Sequence, residues 1–185
     1  MLRSLDEAPA ARGLFEVPQV SIEEHEDRRI RTVRAVRRVD APLAAVRDIL
    51  TDHERLSDYS SSLRRAQILE SEAETPGAQL RVRQELNLPF PLRDRFYILH
   101  VEDVLMASDC FESRWTSVPG SGNIEYTQGR WEILARGSNA VLLAYVAEAD
   151  PGGWVPAFAA NWAARRAVPE VLEKVAAAAE AAADR

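Results

Sequence analysis

The 185-residue chain has a single cysteine, Cys110, so neither an intrachain disulfide framework nor a cysteine-based zinc site can be built. That thiol lies in a strand-like run and reads as inert and partly buried. The three histidines, His25, His53 and His100, are far apart, and no His-Glu-x-x-His or paired-cysteine spacing occurs. A phosphate loop is missing too. Pro119-Gly120-Ser121-Gly122 lacks the following glycine and lysine and lies between two strand-like runs, where it reads as a hairpin turn. Basic charge is in deficit: a net charge of −6 and a pI near 5.2 exclude sequence-independent nucleic-acid binding, which depends on neutralising phosphates. Arg28, Arg29, Arg31, Arg34, Arg37 and Arg38 are a local exception, read as a solvated strand face. No apolar run reaches bilayer length, and Met1 to Arg12 carries Asp6 and Glu7 without the apolar stretch of a secretory signal. A cytoplasmic location is expected.

What is present is the composition of one globular domain, 46% hydrophobic and 28% charged, long enough for a core plus an internal cavity. Residues 1–28 read as an arm with an edge strand (Phe15 to Ile22), and 29–185 as the domain proper. Ile30 to Val39 alternates as a strand, and Asp40-Ala41-Pro42 opens a helix with Leu43, Val46, Ile49 and Leu50 at helical spacing and Asp40 as its cap. A short helix over His53 to Asp58 follows, with Thr51 or Asp52 as its cap. The strand runs Arg65–Ser71, Leu80–Leu88, Arg93–Leu105, Cys110–Val118, Ile124–Ala135 and Ala140–Ala149 are separated by short turn-forming loops, the pattern of an antiparallel meander. Val155 to Ala183 reads as one long helix. Its apolar stripe is expected through Val155, Phe158, Trp162, Arg165, Pro169, Leu172, Ala176 and Ala179, with a break or kink at Pro169 and an alanine-rich, solvated end.

Catalytic constellations are scarce. His100, Glu102 and Asp103 are the best local acid-base set, but Glu112, Arg114, Arg130 and Glu132 on neighbouring strands mark an outer face. The inward faces are more telling. They carry Val82, Gln84 and Leu86, then Arg95, Tyr97 and Leu99, then Phe111, Ser113 and Trp115, then Thr127 and Trp131, with Tyr145 on the last strand. Buried polar groups without partners cost roughly 1–3 kcal/mol each. Gln84, Arg95, Ser113, Thr127 and Tyr145 among aromatics therefore fit the wall of a ligand cavity better than a dry core. A strand delivered through Asp150-Pro151-Gly152-Gly153 into an aromatic-bearing helix places that cavity between sheet and helix.

Three segments resemble the START (steroidogenic acute regulatory protein-related lipid transfer) domain, within the superfamily that includes polyketide cyclases and coenzyme Q-binding proteins. They are Pro89-Phe90-Pro91-Leu92-Arg93-Asp94-Arg95-Phe96, Gly129-Arg130-Trp131-Glu132-Ile133, and Asp150-Pro151-Gly152-Gly153-Trp154-Val155-Pro156-Ala157-Phe158 with Asn161. The resemblance implies an α+β helix-grip fold, a curved antiparallel sheet wrapped around a long C-terminal helix with an internal hydrophobic tunnel. It implies binding, and transfer with transient membrane contact, of a lipid or other apolar small molecule, without cofactor, metal or catalysis. An aromatase/cyclase acting on a polyketide and a quinone-binding chaperone are the alternatives. Val82 or Gln84, and Val101, stand where sterol-binding members carry an acid and an arginine. The ligand-lining residues expected are those inward residues together with Phe158, Asn161 and Trp162. Openings are expected at Pro89–Leu92, Pro119–Gly122 or Trp154–Phe158. A sixteen-carbon chain buried there would contribute on the order of 10 kcal/mol before ordering costs.

Overall fold

Two-residue alternation builds eight strands among the described residues. In Arg95–Ala107, Tyr97, Leu99, Val101 and Asp103 are buried while Phe96 and His100 are exposed and Ile98 and Glu102 half-buried between them. The computed structural model describes residues 16–25, 30–74, 77–88, 93–152 and 157–184, with 24, 73, 74, 77 and 157–164 described by backbone alone. The strands are β1 (Gln19–Glu24), β2 (Arg31–Val39), β3 (Leu63–Glu74), β4 (Gly77–Leu86), β5 (Arg95–Ala107), β6 (Cys110–Ser117), β7 (Tyr126–Ala135) and β8 (Val141–Asp150). They form one antiparallel sheet in the order β1-β2-β8-β7-β6-β5-β4-β3. The meander from β3 to β8 is as read from the turn residues. Its last strand pairs with β2, so the N-terminal hairpin extends the sheet.

Among the described residues three α-helices complete the fold: α1 (Leu43–Thr51), α2 (Leu56–Tyr59) after a 3-10 turn at His53–Arg55, and α3 (Ala157–Ala183). The expected short helix over His53 to Asp58 is thus a 3-10 turn running into α2. Pro42, not Asp40, stands at the N-cap of α1, and no side chain caps it. Asp40 instead receives two bonds from the Arg38 guanidinium, at 2.9 and 2.7 Å. Thr51 remains inside α1 and donates back to the Arg47 carbonyl.

α3 packs on α1, α2, β1 and β2, giving the expected helix-grip α+β arrangement. Leu172, Val175, Ala176 and Ala179 are fully buried with Val46 and Leu50 of α1 and Val39, Ile133, Val141 and Leu143 of the sheet. Two readings of α3 change. Arg165 is exposed, and the packed stripe runs through the half-buried Val168 and Val171 and the fully buried Leu172 and Val175. The alanine-rich end is exposed from Ala181 on, as expected, but Ala176 and Ala179 are buried: their methyl groups let the helix approach the sheet where longer side chains would hold it off. The helical pattern continues through Pro169, which only lacks the N–H that would reach the Arg165 carbonyl.

The opposite face of the sheet carries charge. Arg114 and Arg130 flank Glu112 and Glu132, with Arg114–Glu112 at 2.6 Å and Arg130–Glu132 at 2.5 Å, and Arg81 pairs with Glu70 at 3.1 Å. His100 is exposed on that face. The β2 arginines divide: Arg34 pairs with Glu23 and Arg38 with Asp40, whereas Arg31, read as solvated, is buried and donates to the Ile30 carbonyl. Arg28 and Arg29 lie outside the described residues.

Candidate functional site

Beneath α3 the concave face is filled at one end and open at the other. The opening is a cavity of about 240 Å³ between β4–β8 and Ala167, Val168 and Val171 of α3. At about 30 Å³ per water-sized group it holds an apolar body of roughly eight such groups.

The structure brings most of the expected lining residues together here. Gln84 and Leu86 come from β4, Tyr97 and Leu99 from β5, Ser113 and Trp115 from β6, Thr127 and Trp131 from β7, and Tyr145 from β8. Three of the expected residues sit elsewhere. Val82 is fully buried behind the wall with Leu80 and Ala66, and Phe111 is buried in the filled end beside Ile133 and Leu172. Arg95 starts on the inward phase, but its long side chain leaves the cavity to reach backbone carbonyls. The side chains of Phe158, Asn161 and Trp162 lie outside the described residues, as do Pro89–Leu92 and Trp154.

The aromatic wall is one continuous contact. Tyr145 stacks against Trp115 with ring centroids 5.5 Å apart and leans on Trp131 at 4.6 Å. Gly129 makes this possible. It stands opposite Trp115 in the β6–β7 ladder, and a Cβ there would lie 2.4 Å from Trp115 Cζ2 and 2.3 Å from the Val146 carbonyl oxygen. The Gly-x-Trp pattern of β7 therefore serves the cavity twice, with Gly129 admitting Trp115 and Trp131 forming wall.

Several polar groups lie in the wall, and some of them are paired. Tyr97 donates to Gln84 Oε1 at 3.1 Å, and the Thr127 hydroxyl donates to the Glu148 carbonyl at 3.2 Å. Burial pushes the Tyr97 phenol up, and pushes Tyr145 up to about 12. Both are neutral phenols at ordinary pH, able to hydrogen-bond but not to act as bases.

Sequence reading missed one whole side of the cavity: His53, Leu56, Ser60 and Ser62 from the helical segment between β2 and β3, and Ala167, Val168 and Val171 from α3. Val101 also lines it and was legible as a wall residue, since it continues the phase of Tyr97 and Leu99. The serine loop is tied to α3 by Glu170, which accepts from the Ser61 hydroxyl at 2.5 Å and from its backbone N–H at 3.2 Å. Lys174, then Ser61, holds the Glu170 carboxyl below the usual carboxylate range. His53 is tied to the sheet, its Nε2 lying 2.7 Å from Asp103 Oδ2, with both side chains buried. Asp103, grouped from sequence with His100 and Glu102, thus faces the other way from both.

Arg95 has a clear structural task. Its Nε donates to the Pro151 carbonyl at 3.0 Å and its Nη2 to the Gly152 carbonyl at 3.2 Å. The turn it clamps is the one that leads from β8 towards α3. Gly152 adopts φ +66°, where a side chain would be strained, and donates its N–H to Asp150 Oδ1 at 2.9 Å. The Asp-Pro-Gly segment and the Arg-Asp-Arg segment, distant in sequence, are one unit in space.

Known structures share this architecture. A STAR-related lipid transfer protein from Xanthomonas axonopodis aligns with 21% identity over 92% of this chain and 95% of its own, at a TM-score of 0.70. Human STARD10 aligns with 17% identity over 96% of this chain and 76% of its own, at 0.72. The Zhui aromatase/cyclase from Streptomyces sp. R1128 aligns with 17% identity over 83% of this chain and 91% of its own, at 0.51. No curated protein matches the chain. At these identities the structures establish the shared fold. The sequence itself matches the model of a named family over residues 39–176, most of the domain, and on that match the chain belongs to the polyketide cyclase / dehydrase and lipid transport family.

Proposed function

We propose that this protein binds an apolar small molecule in the cavity under α3 and passes it on unchanged. The observation that carries the reading is the wall itself: stacked Trp115, Tyr145 and Trp131, flanked by Leu86, Leu99 and Val168, around about 240 Å³. About eight buried methylene-sized groups contribute roughly 6 kcal/mol, which corresponds to a dissociation constant on the order of tens of micromolar before ordering costs. The space between the described residues suits a smaller apolar body or one end of a longer lipid. Among the similar structures, the one from Xanthomonas is named for lipid transfer, and transfer would bring transient membrane contact. No described helix is long and apolar enough to cross a membrane.

A second reading is turnover of a polyketide, favoured by the aromatase/cyclase among the similar folds and by the family's description. In it Tyr97 and Tyr145 would orient substrate, but Arg95, a natural partner for enolate oxygens, is spent on the Pro151 and Gly152 carbonyls. Native mass spectrometry after incubation with vesicles and with small hydrophobes separates the readings. One-to-one uptake with the ligand released at unchanged mass supports binding. Release at altered mass supports turnover, and no uptake of any apolar molecule overturns both.

A further inference from the structure

One end of this cavity has hydrogen-bonding capacity that the protein leaves unused. His53 and Ser113 both line it. Asp103 does not itself line the cavity but stands behind these two, bonded through Oδ2 to His53 and directly across the β5–β6 ladder from Ser113. Its other oxygen, Oδ1, is buried and has no hydrogen-bond partner among the described residues. Ser113 is itself only 2% exposed. Of the other polar groups of the wall, Tyr97 is bonded to Gln84 and Thr127 to the Glu148 carbonyl. A buried carboxylate oxygen without a donor is costly, and more so in a low-dielectric surrounding. Its placement behind two residues that line a cavity gives that cost a purpose.

We propose that His53, Asp103 and Ser113 form the polar end of the cavity and select ligands bearing a hydroxyl, as an apolar alcohol or phenol does. The ligand O–H donates to Asp103 Oδ1, and the Ser113 hydroxyl donates to the ligand oxygen. His53, held at 2.7 Å, orients the carboxylate and fixes which oxygen stays free. The same charge disfavours a carboxylate at that position, because like charges in a buried site repel. The inference rests on the apolar-binding reading and adds to it the chemical class of the head group.

The test compares three fluorescent probes of one shape: 2-naphthol, 2-methylnaphthalene and 2-naphthoate. On wild-type protein 2-naphthol should bind at least about tenfold more tightly than 2-methylnaphthalene, the range for a hydrogen bond to a charged acceptor, with 2-naphthoate weakest. Replacing the pair together, His53→Phe with Asp103→Leu, avoids stranding a charge, and the naphthol-to-methylnaphthalene ratio should fall to about one. A readout that needs no variant is the His53 ring in nitrogen-correlated NMR, which should shift on adding 2-naphthol and much less on adding 2-methylnaphthalene. Equal binding of the naphthol and the hydrocarbon would overturn the head-group assignment, as expected if a resident water satisfies Oδ1, and would leave apolar binding standing. So would tightest binding of the naphthoate, or discrimination that survives the double replacement. Failure of all three probes to bind would overturn the apolar-binding reading itself.

Discussion

The two ends of the concave face lie on the same sheet and under the same helix, yet they are finished differently. At the filled end Ile133, Val141, Leu143, Leu172 and Val175 are fully buried, and Ala176 and Ala179 bring α3 close. At the open end the sheet presents Trp115, Trp131, Tyr97 and Tyr145, with Gln84, Ser113 and Thr127 between them. Small residues facing aliphatics permit close approach and leave no void. Large rings prop helix and sheet apart, and polar groups between them favour occupants that can hydrogen-bond. One end stabilises the fold, and the other gives up part of that stabilisation to keep a space.

If that division is right, truncation at the two ends should differ in what it costs. Leu172→Ala at the filled end should lower unfolding free energy by about 2–5 kcal/mol, read by urea denaturation, since a fully buried leucine leaves a hole there. The affinity of the molecules that remain folded for 2-methylnaphthalene should stay within about twofold, a difference of under about 0.5 kcal/mol. A large loss of affinity would show that the two ends are not separable. The converse variant is Ala167→Trp, which projects an indole into the cavity from α3. It should weaken binding of the same probe by at least about tenfold, or about 1.4 kcal/mol, and move the urea midpoint little. A midpoint that drops as far as that of Leu172→Ala would mean the space was never available to a ligand.

How much of this contrast is legible in the sequence depends on how local its causes are. The strands and the meander come from alternation and turn residues that act within a few positions, and the inward phase of Tyr97, Leu99 and Val101 follows from them. The rotation of α3 does not: it is set by where alanines allow contact with α1 and β2, so periodicity alone puts the exposed Arg165 on the apolar stripe. Arg95 shows a second limit. Alternation gives the direction of its Cβ, but a long side chain can end far from where it starts, here on Pro151 and Gly152. The His53–Asp103 pair joins residues 50 apart, and no spacing rule connects them. The one available clue was Asp103 continuing the inward phase, an acid on the apolar face of β5.

The phenols of the open end offer a pH test of the same contrast. Burial raises both above the ordinary value near 10. Between that value and their raised values the folded protein keeps protons that the unfolded chain has released. Their contribution to stability is therefore complete below about pH 10 and declines as pH rises beyond it. Urea midpoints measured from pH 8 upward should stay level and then fall, and Tyr145→Phe should soften the fall. An unchanged profile in that variant would place Tyr145 in contact with solvent, not in the wall.

The smallest effect is expected on the outer face, and it sets the scale for the rest. Arg114 donates to Glu112 at 2.6 Å, a short contact, but the arginine side chain is 47% exposed, so water and salt screen the pair and two long side chains lose freedom in making it. Arg130 also approaches Glu112, at 3.7 Å, so the carboxylate keeps a cationic neighbour when Arg114 is lost. Arg114→Gln should change unfolding free energy by less than about 1 kcal/mol and leave probe binding untouched, with the small difference shrinking further in high salt. A larger loss, or any change in affinity, would mean that β6 transmits strain from its charged face to Ser113 and Trp115 on the other. In that event the cavity's shape would depend on the whole strand, not on the inward residues alone.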